Sequence, residues 1–207
     1  MFAIVLDAVG TAVSPLWRAS LHPMSSPASH RAMCRPWPIG VLMALALTAC
    51  NPTFNWRELR PEGTPVQALM PCKPETAERS VPLGGAPTVL HMHSCKAGGL
   101  TFALAWADVQ DAAAVPATLT DWQRAALAAI RVDPALQADP AHRWAATVAG
   151  STLAQGITAL GIDPQGQPVQ SRAVYFARGS QVFQAAMYGV APSDEVSTTF
   201  FDGLKLP

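Results

Sequence analysis

Between residues 100 and 107 the side chains alternate. Leu100, Phe102, Leu104 and Trp106 fall on one side of an extended chain, and Thr101, Ala103, Ala105 and Ala107 on the other. A half-buried strand requires this period of two, because successive Cβ atoms point to opposite faces of a sheet. Residues 88–94 also read as a strand, and Lys96-Ala97-Gly98-Gly99 supplies the turn that joins the two. Further along, 143–148, 151–161, 169–178 and 181–190 read as strands, with turns at Asp163-Pro164-Gln165-Gly166 and Gly179-Ser180. Two shorter apolar-alternating pieces, 54–59 and 66–70, are separated by a Pro-Glu-Gly turn. Glu75 and Glu78 read as exposed charges near a loop.

The period changes to that of a helix twice. In 118–132, Leu119, Trp122, Ala126 and Ile130 recur at spacings of three and four, and Leu127 widens the stripe. Thr120 or Asp121 is the expected N-cap and Asp133-Pro134 the expected end. After Pro192, a second stripe of Val196, Phe200, Phe201 and Leu204 follows Ser193 as N-cap. Strands, helix, strands, helix is the order of an α+β domain, here a mainly antiparallel sheet packed with two amphipathic helices.

The N-terminal part is different. Residues 39–49 (I-G-V-L-M-A-L-A-L-T-A) form an 11-residue run without charge or proline, preceded by Arg31 and Arg35. A bilayer-crossing helix needs about 20 apolar residues, whereas the hydrophobic part of an export signal has roughly this length. The run ends in Leu47-Thr48-Ala49-Cys50, which resembles the lipobox of bacterial lipoproteins: an aliphatic residue, two small residues and a cysteine directly after an apolar run. The resemblance implies cleavage before Cys50, a diacylglyceryl group on its thiol and a membrane as partner. It also implies a body facing the periplasm and, because Asn51 rather than Asp follows the cysteine, the inner leaflet of the outer membrane. The organisation expected is an N-terminal extension and signal over 1–49, a lipidated cysteine and tether over 50–65, and one domain over 66–207. Met24 or Met33 would begin a signal of ordinary length, and translation from one of them is expected.

Past the tether the layout resembles small bacterial envelope proteins with a PsbP-like α/β/α sandwich. The matching elements are Pro71-Cys72-Lys73-Pro74, the hairpin that ends in F-A-L-A-W-A-D, the pair V-Y-F-A-R-G-S-Q-V-F-Q-A-A-M-Y-G and the closing helix at 198–204. This resemblance implies a fold and an accessory or partner-binding role, and it brings no catalytic residues.

Charge narrows the partners. The chain has 14 basic and 14 acidic side chains, and from Cys50 onward the net charge is −2. Nucleic acid is therefore not an expected partner. Of the four cysteines, Cys34 lies in the signal and Cys50 is the lipid site. Cys72 and Cys95 remain, and in an oxidising compartment a disulfide between them is expected. His91, His93 and Cys95 stand at i, i+2 and i+4 of one strand and so on one face. Imidazoles so placed are candidate ligands for zinc or copper, which makes a periplasmic metal-binding protein using His91 and His93 the alternative function. No G-x-S-x-G, H-E-x-x-H or P-loop occurs, and His142 stands alone after Asp139-Pro140, so a hydrolase with a cryptic site ranks last. The aromatic residues Trp106, Trp122, Trp144, Tyr175, Phe176, Phe183 and Tyr188 are candidates to line a ligand cleft or a partner surface, but most fall at core positions by periodicity, where packing is their expected job. The expected function is that of a lipid-anchored, non-catalytic envelope protein without a cofactor.

Overall fold

A computed structural model describes residues 52–137 and 139–207. The export signal, the lipobox and Cys50 lie outside the described residues. The chain forms β1 (Arg57–Leu59), β2 (Ala68–Met70), β3 (Glu75–Leu83), β4 (Ala86–Ala97), β5 (Leu100–Asp108), α1 (Val115–Ala129), β6 (Arg143–Trp144), β7 (Leu153–Ile162), β8 (Pro168–Arg178), β9 (Gln181–Gly189) and α2 (Asp194–Asp202). β1 and β2 make a two-stranded ribbon, and the other seven strands form one antiparallel sheet in the order β3-β4-β5-β9-β8-β7-β6. The α+β class with a mainly antiparallel sheet and two helices is thus present.

The two helices cover opposite faces. Leu119, Trp122 and Leu127 of α1 pack with Ala105, Ala107, Ala159, Tyr175 and Val182. Phe200 and Phe201 of α2 pack with Phe102, Leu104, Trp106, Phe176 and Phe183, and Val66, Ala68 and Met70 close that layer. β5 is therefore buried on both faces rather than one. Its large side chains point toward α2, and Ala103, Ala105 and Ala107 on the other face are fully buried where α1 approaches. An alternation in size was the visible pattern, and it separates two cores rather than core from solvent.

Several boundaries differ from the sequence reading, each for a local reason. Residues 75–83 form a long edge strand, because Gly84 and Gly85 both adopt positive φ (67° and 85°) and close a two-residue hairpin that pairs Leu83 with Ala86. α1 starts earlier than expected. Asp111 accepts from Ala113 N at 2.9 Å and caps a short 3-10 turn that runs into it, while Thr120 donates back to Pro116 O and Asp121 pairs with Arg124. The helix also ends earlier. Arg131 takes φ 56°, its N–H donates to Ala128 O, and Val132 N–H donates to Leu127 O, a left-handed helix stop upstream of Pro134. The strand expected over 143–148 stops at Trp144. Beyond it Ala149 leaves the sheet to bridge Lys205 and accept from Leu206 N. The second helix begins as expected, with Ser193 Oγ accepting from Val196 N at 3.3 Å.

Part of the segment read as a tether belongs to the body. Arg57–Leu59 pairs with β2, and the rings of Phe54 and Trp56 each meet Phe102 edge-on at 6.2 and 6.1 Å. Gly98 in the β4–β5 turn makes this possible. Its φ is +59°, and a Cβ there would come within 2.5 Å of the Phe54 ring.

Candidate functional site

The residues singled out in the sequence converge on β4. Register places His91 opposite Trp106 and Cys95 opposite Phe102 on β5, with Glu78 of β3 opposite His91 on the other side. The sulfurs of Cys72 and Cys95 lie within bonding distance, with the Cα atoms 6.0 Å apart. The pair joins the loop after β2 to the last turn-proximal residues of β4, so the expected disulfide is present in the geometry. Cys95 is buried and thereby withdrawn from any ligand set.

The two imidazoles lie nearly parallel to the Trp106 indole. Ring centroids are 5.1 Å apart for His91 and 5.2 Å for His93, with interplanar angles of 14° and 8°. His91 Nδ1 donates to Glu78 Oε1 at 2.9 Å in a half-exposed pair. His93 Nδ1 is buried without a hydrogen-bond partner. Burial, and secondarily the neighbouring His91, hold the His93 pKa below the usual 6.5. At neutral pH the second ring is an uncharged stacking group. Among the described residues no group of three or more His, Cys, Asp and Glu lies close enough to hold a metal ion. The histidines are joined to an indole and a carboxylate, and the cysteine beside them is spent on a cystine.

The remaining candidates separate. Glu75 and Glu78 differ by an odd number of positions on β3 and so point to opposite faces, which rules them out as a carboxylate pair acting on one group. His142 Nδ1 donates to the backbone carbonyl of Thr158 at 3.1 Å. Among the described residues no hydroxyl is hydrogen-bonded to a histidine. Of the aromatic residues assigned to the core, six are buried, and Trp144 is half-exposed.

Trp144 belongs to a second cluster. The Arg172 guanidinium sits over the Trp144 ring at 5.0 Å and over the Phe201 ring at 5.9 Å, and reaches Asp194 at the start of α2 at 3.9 Å. Arg172 Nε and Trp144 Nε1 are both buried and unpartnered. The signal was in the strand pattern: Arg172 shares its face of β8 with Val174 and Phe176, a charge on an apolar face. On the opposite face Gln184 Nε2 donates to Tyr175 Oη at 2.8 Å. Burial drives both Tyr175 and Tyr188 upward, Tyr188 to about 12, so the two phenols stay protonated.

Among the described residues, hollows open on the surface beside α1 and β7. Two flank α1, near Gln155 and near Arg143, whose guanidinium donates to Gln123 Oε1 and Gln155 Oε1 at 3.2 and 2.6 Å. Another, about 710 Å³, is a wide groove along the part of β7 beyond its pairing with β6. Among the described residues no helix is long and apolar enough to cross a membrane. No family model matches the chain, and neither a curated protein nor a solved structure is significantly similar to it.

Proposed function

We propose that the chain is a lipoprotein of the bacterial cell envelope, anchored through lipid on Cys50 and carrying a non-catalytic accessory domain that faces the periplasm. The observation that carries this reading is the sequence Leu47-Thr48-Ala49-Cys50 at the end of an 11-residue apolar run, a few residues before the folded body begins. Two features of the body support it. A cystine between Cys72 and Cys95 suits an oxidising compartment. One antiparallel sheet with a helix on each face accords with the layering expected of a PsbP-like sandwich. The role that fits is support or binding of an envelope partner, with the outer membrane as the expected site.

The test is Cys50→Ser in the full chain. Loss of the lipid mass on the N-terminal peptide and release from the membrane fraction are expected. Wild-type mobility and unchanged detergent partitioning of the Cys50→Ser chain would refute the anchor.

A further inference from the structure

We infer that one end of the main sheet, where Leu160, Ile162 and Val190 are exposed, lies against the lipid surface that holds Cys50, a docking that rests on the lipidation proposed above. The first observation is the shortness of the leash. Thr53 is already on the body, its Cγ2 within 3.3 Å of where a Gly98 Cβ would stand. Three peptide units from Cys50 to Thr53 reach at most roughly 11 Å. A body so tethered cannot stand clear of the bilayer, and the surface nearest Gly98 must face it.

The second observation is what shares that end. A Cβ on Gly189 would meet Leu100 Cδ2 and the Gly99 carbonyl, so the end of β9 adjoins the β4–β5 turn. Gly189 pairs with Gln170, and Gln170 with Leu160. At about 4.8 Å per strand, Leu160 lies roughly 15 Å along this row from β5. On or beside the row Leu160 is 74 % exposed, Val190 80 % and Ile162 41 %, and Leu136 at 49 % faces Leu160 and Ile162 across the large groove. The other large exposed apolar residues among those described, Val89 and Leu153, belong to the far end of the sheet, as their pairing with Ser80 and Ala177 places them. Apolar side chains thus gather at the end where the leash leaves.

Charge selects the kind of lipid contact. Asp163 and Asp194 flank the patch, Lys73, Lys96 and Arg131 are exposed cations toward this end, and the net charge from Cys50 onward is −2. Attraction to anionic headgroups does not drive such a contact, so a zwitterionic surface suffices and salt has little effect.

The test uses the full chain, made in a bacterium that processes lipoproteins and reconstituted into phosphatidylcholine vesicles with ordinary or brominated acyl chains. Leu160→Trp and Val190→Trp are expected to lose most of the emission of the added indole in brominated vesicles, at low and high salt alike. Val89→Trp, at the far end, is expected to keep it. The mass of the N-terminal peptide is read on the same samples. An unmodified Cys50 overturns both the anchor and the docking. A lipidated Cys50 with equal emission from Leu160→Trp and Val89→Trp overturns the docking alone. A dimer in solution that Leu160→Asp dissolves gives this face to a second copy and likewise overturns it.

Discussion

The imidazole of His93 lies parallel to the indole of Trp106, with ring centroids 5.2 Å apart and Nδ1 buried without a partner. A proton on that ring would have to be accommodated beside a second histidine and with little water. The folded-state pKa is lowered, so the unfolded chain binds more protons in the window below the usual 6.5. The contribution of His93 is complete above that value and is lost as the pH falls through it toward the depressed folded value. Urea midpoints measured at about pH 7.5 and about pH 5.5 are expected to fall with acid, and His93→Gln is expected to flatten the fall. An equal acid sensitivity in both chains would remove His93 as a cause.

The cystine makes a sharper prediction. Cys72→Ala, Cys95→Ala and the double variant are each expected to lose about the same, roughly 2–4 kcal/mol, because one bond is lost in every case. Denaturant unfolding of the three variants checks this. Additive losses would mean that the two side chains act independently.

Phe102 sits where three aromatic residues converge: Phe54, Trp56 and Phe200 all meet its ring edge-on. Phe102→Ala is expected to cost about 3–5 kcal/mol. Val89→Ala, at an exposed position, is expected to stay within about 0.5 kcal/mol. Comparing midpoints at unchanged denaturant slope decides it.

The two glycines of the β4–β5 turn should differ. Both have positive φ, but a Cβ meets nothing within 4 Å at Gly99 and meets Phe54 at Gly98. Gly99→Ala is expected to cost about 1 kcal/mol from backbone strain alone, and Gly98→Ala clearly more. The excess is expected to disappear in a Phe54→Ala background, a double-mutant cycle that reports directly whether the N-terminal segment docks on this turn.

Arg172 is expected to resist replacement by lysine. Its flat guanidinium covers Trp144 and Phe201, a contact worth about 0.5–2 kcal/mol that an ammonium reproduces poorly. Arg172→Lys and Arg172→Gln should therefore destabilise by similar amounts. Full stability in Arg172→Lys would mean that charge, not shape, is what matters there.

Much of this architecture was legible because strand faces follow parity. Parity alone groups Leu100, Phe102, Leu104 and Trp106, helical spacing groups Phe200, Phe201 and Leu204 on the last helix, and Ser193 is readable as its cap. β3 escaped because Glu75-Thr76-Ala77-Glu78-Arg79 lacks the apolar alternation of a half-buried strand. At an edge the pairing supplies the order, and the Gly84-Gly85 turn is the sign of the strand in the sequence. The start of α1 escaped because Thr120 and Asp121 are good caps in isolation, and Asp111 caps a tighter turn ahead of them. Among the site residues, spacing put His91, His93 and Cys95 on one face correctly, but no spacing rule reveals that Trp106 and Glu78 would occupy both imidazoles. Those contacts come from neighbouring strands, and their register is set by turns that local sequence determines only in part.

The Cys72–Cys95 linkage also decides how the body responds to force. A pull applied at Pro52 first peels Phe54 and Trp56 from Phe102 and unzips β1 from β2, contacts that break one after another. Slack can pass only as far as Cys72. From there the load crosses the sulfurs into β4, where Cys95 is paired with Phe102 of β5 and the residues from Ser94 back to Ala86 are paired with β3. The residues before the bridge act as a short mechanical fuse, and the load enters the main sheet through an inner strand beside the β4–β5 turn rather than through the edge strand β3.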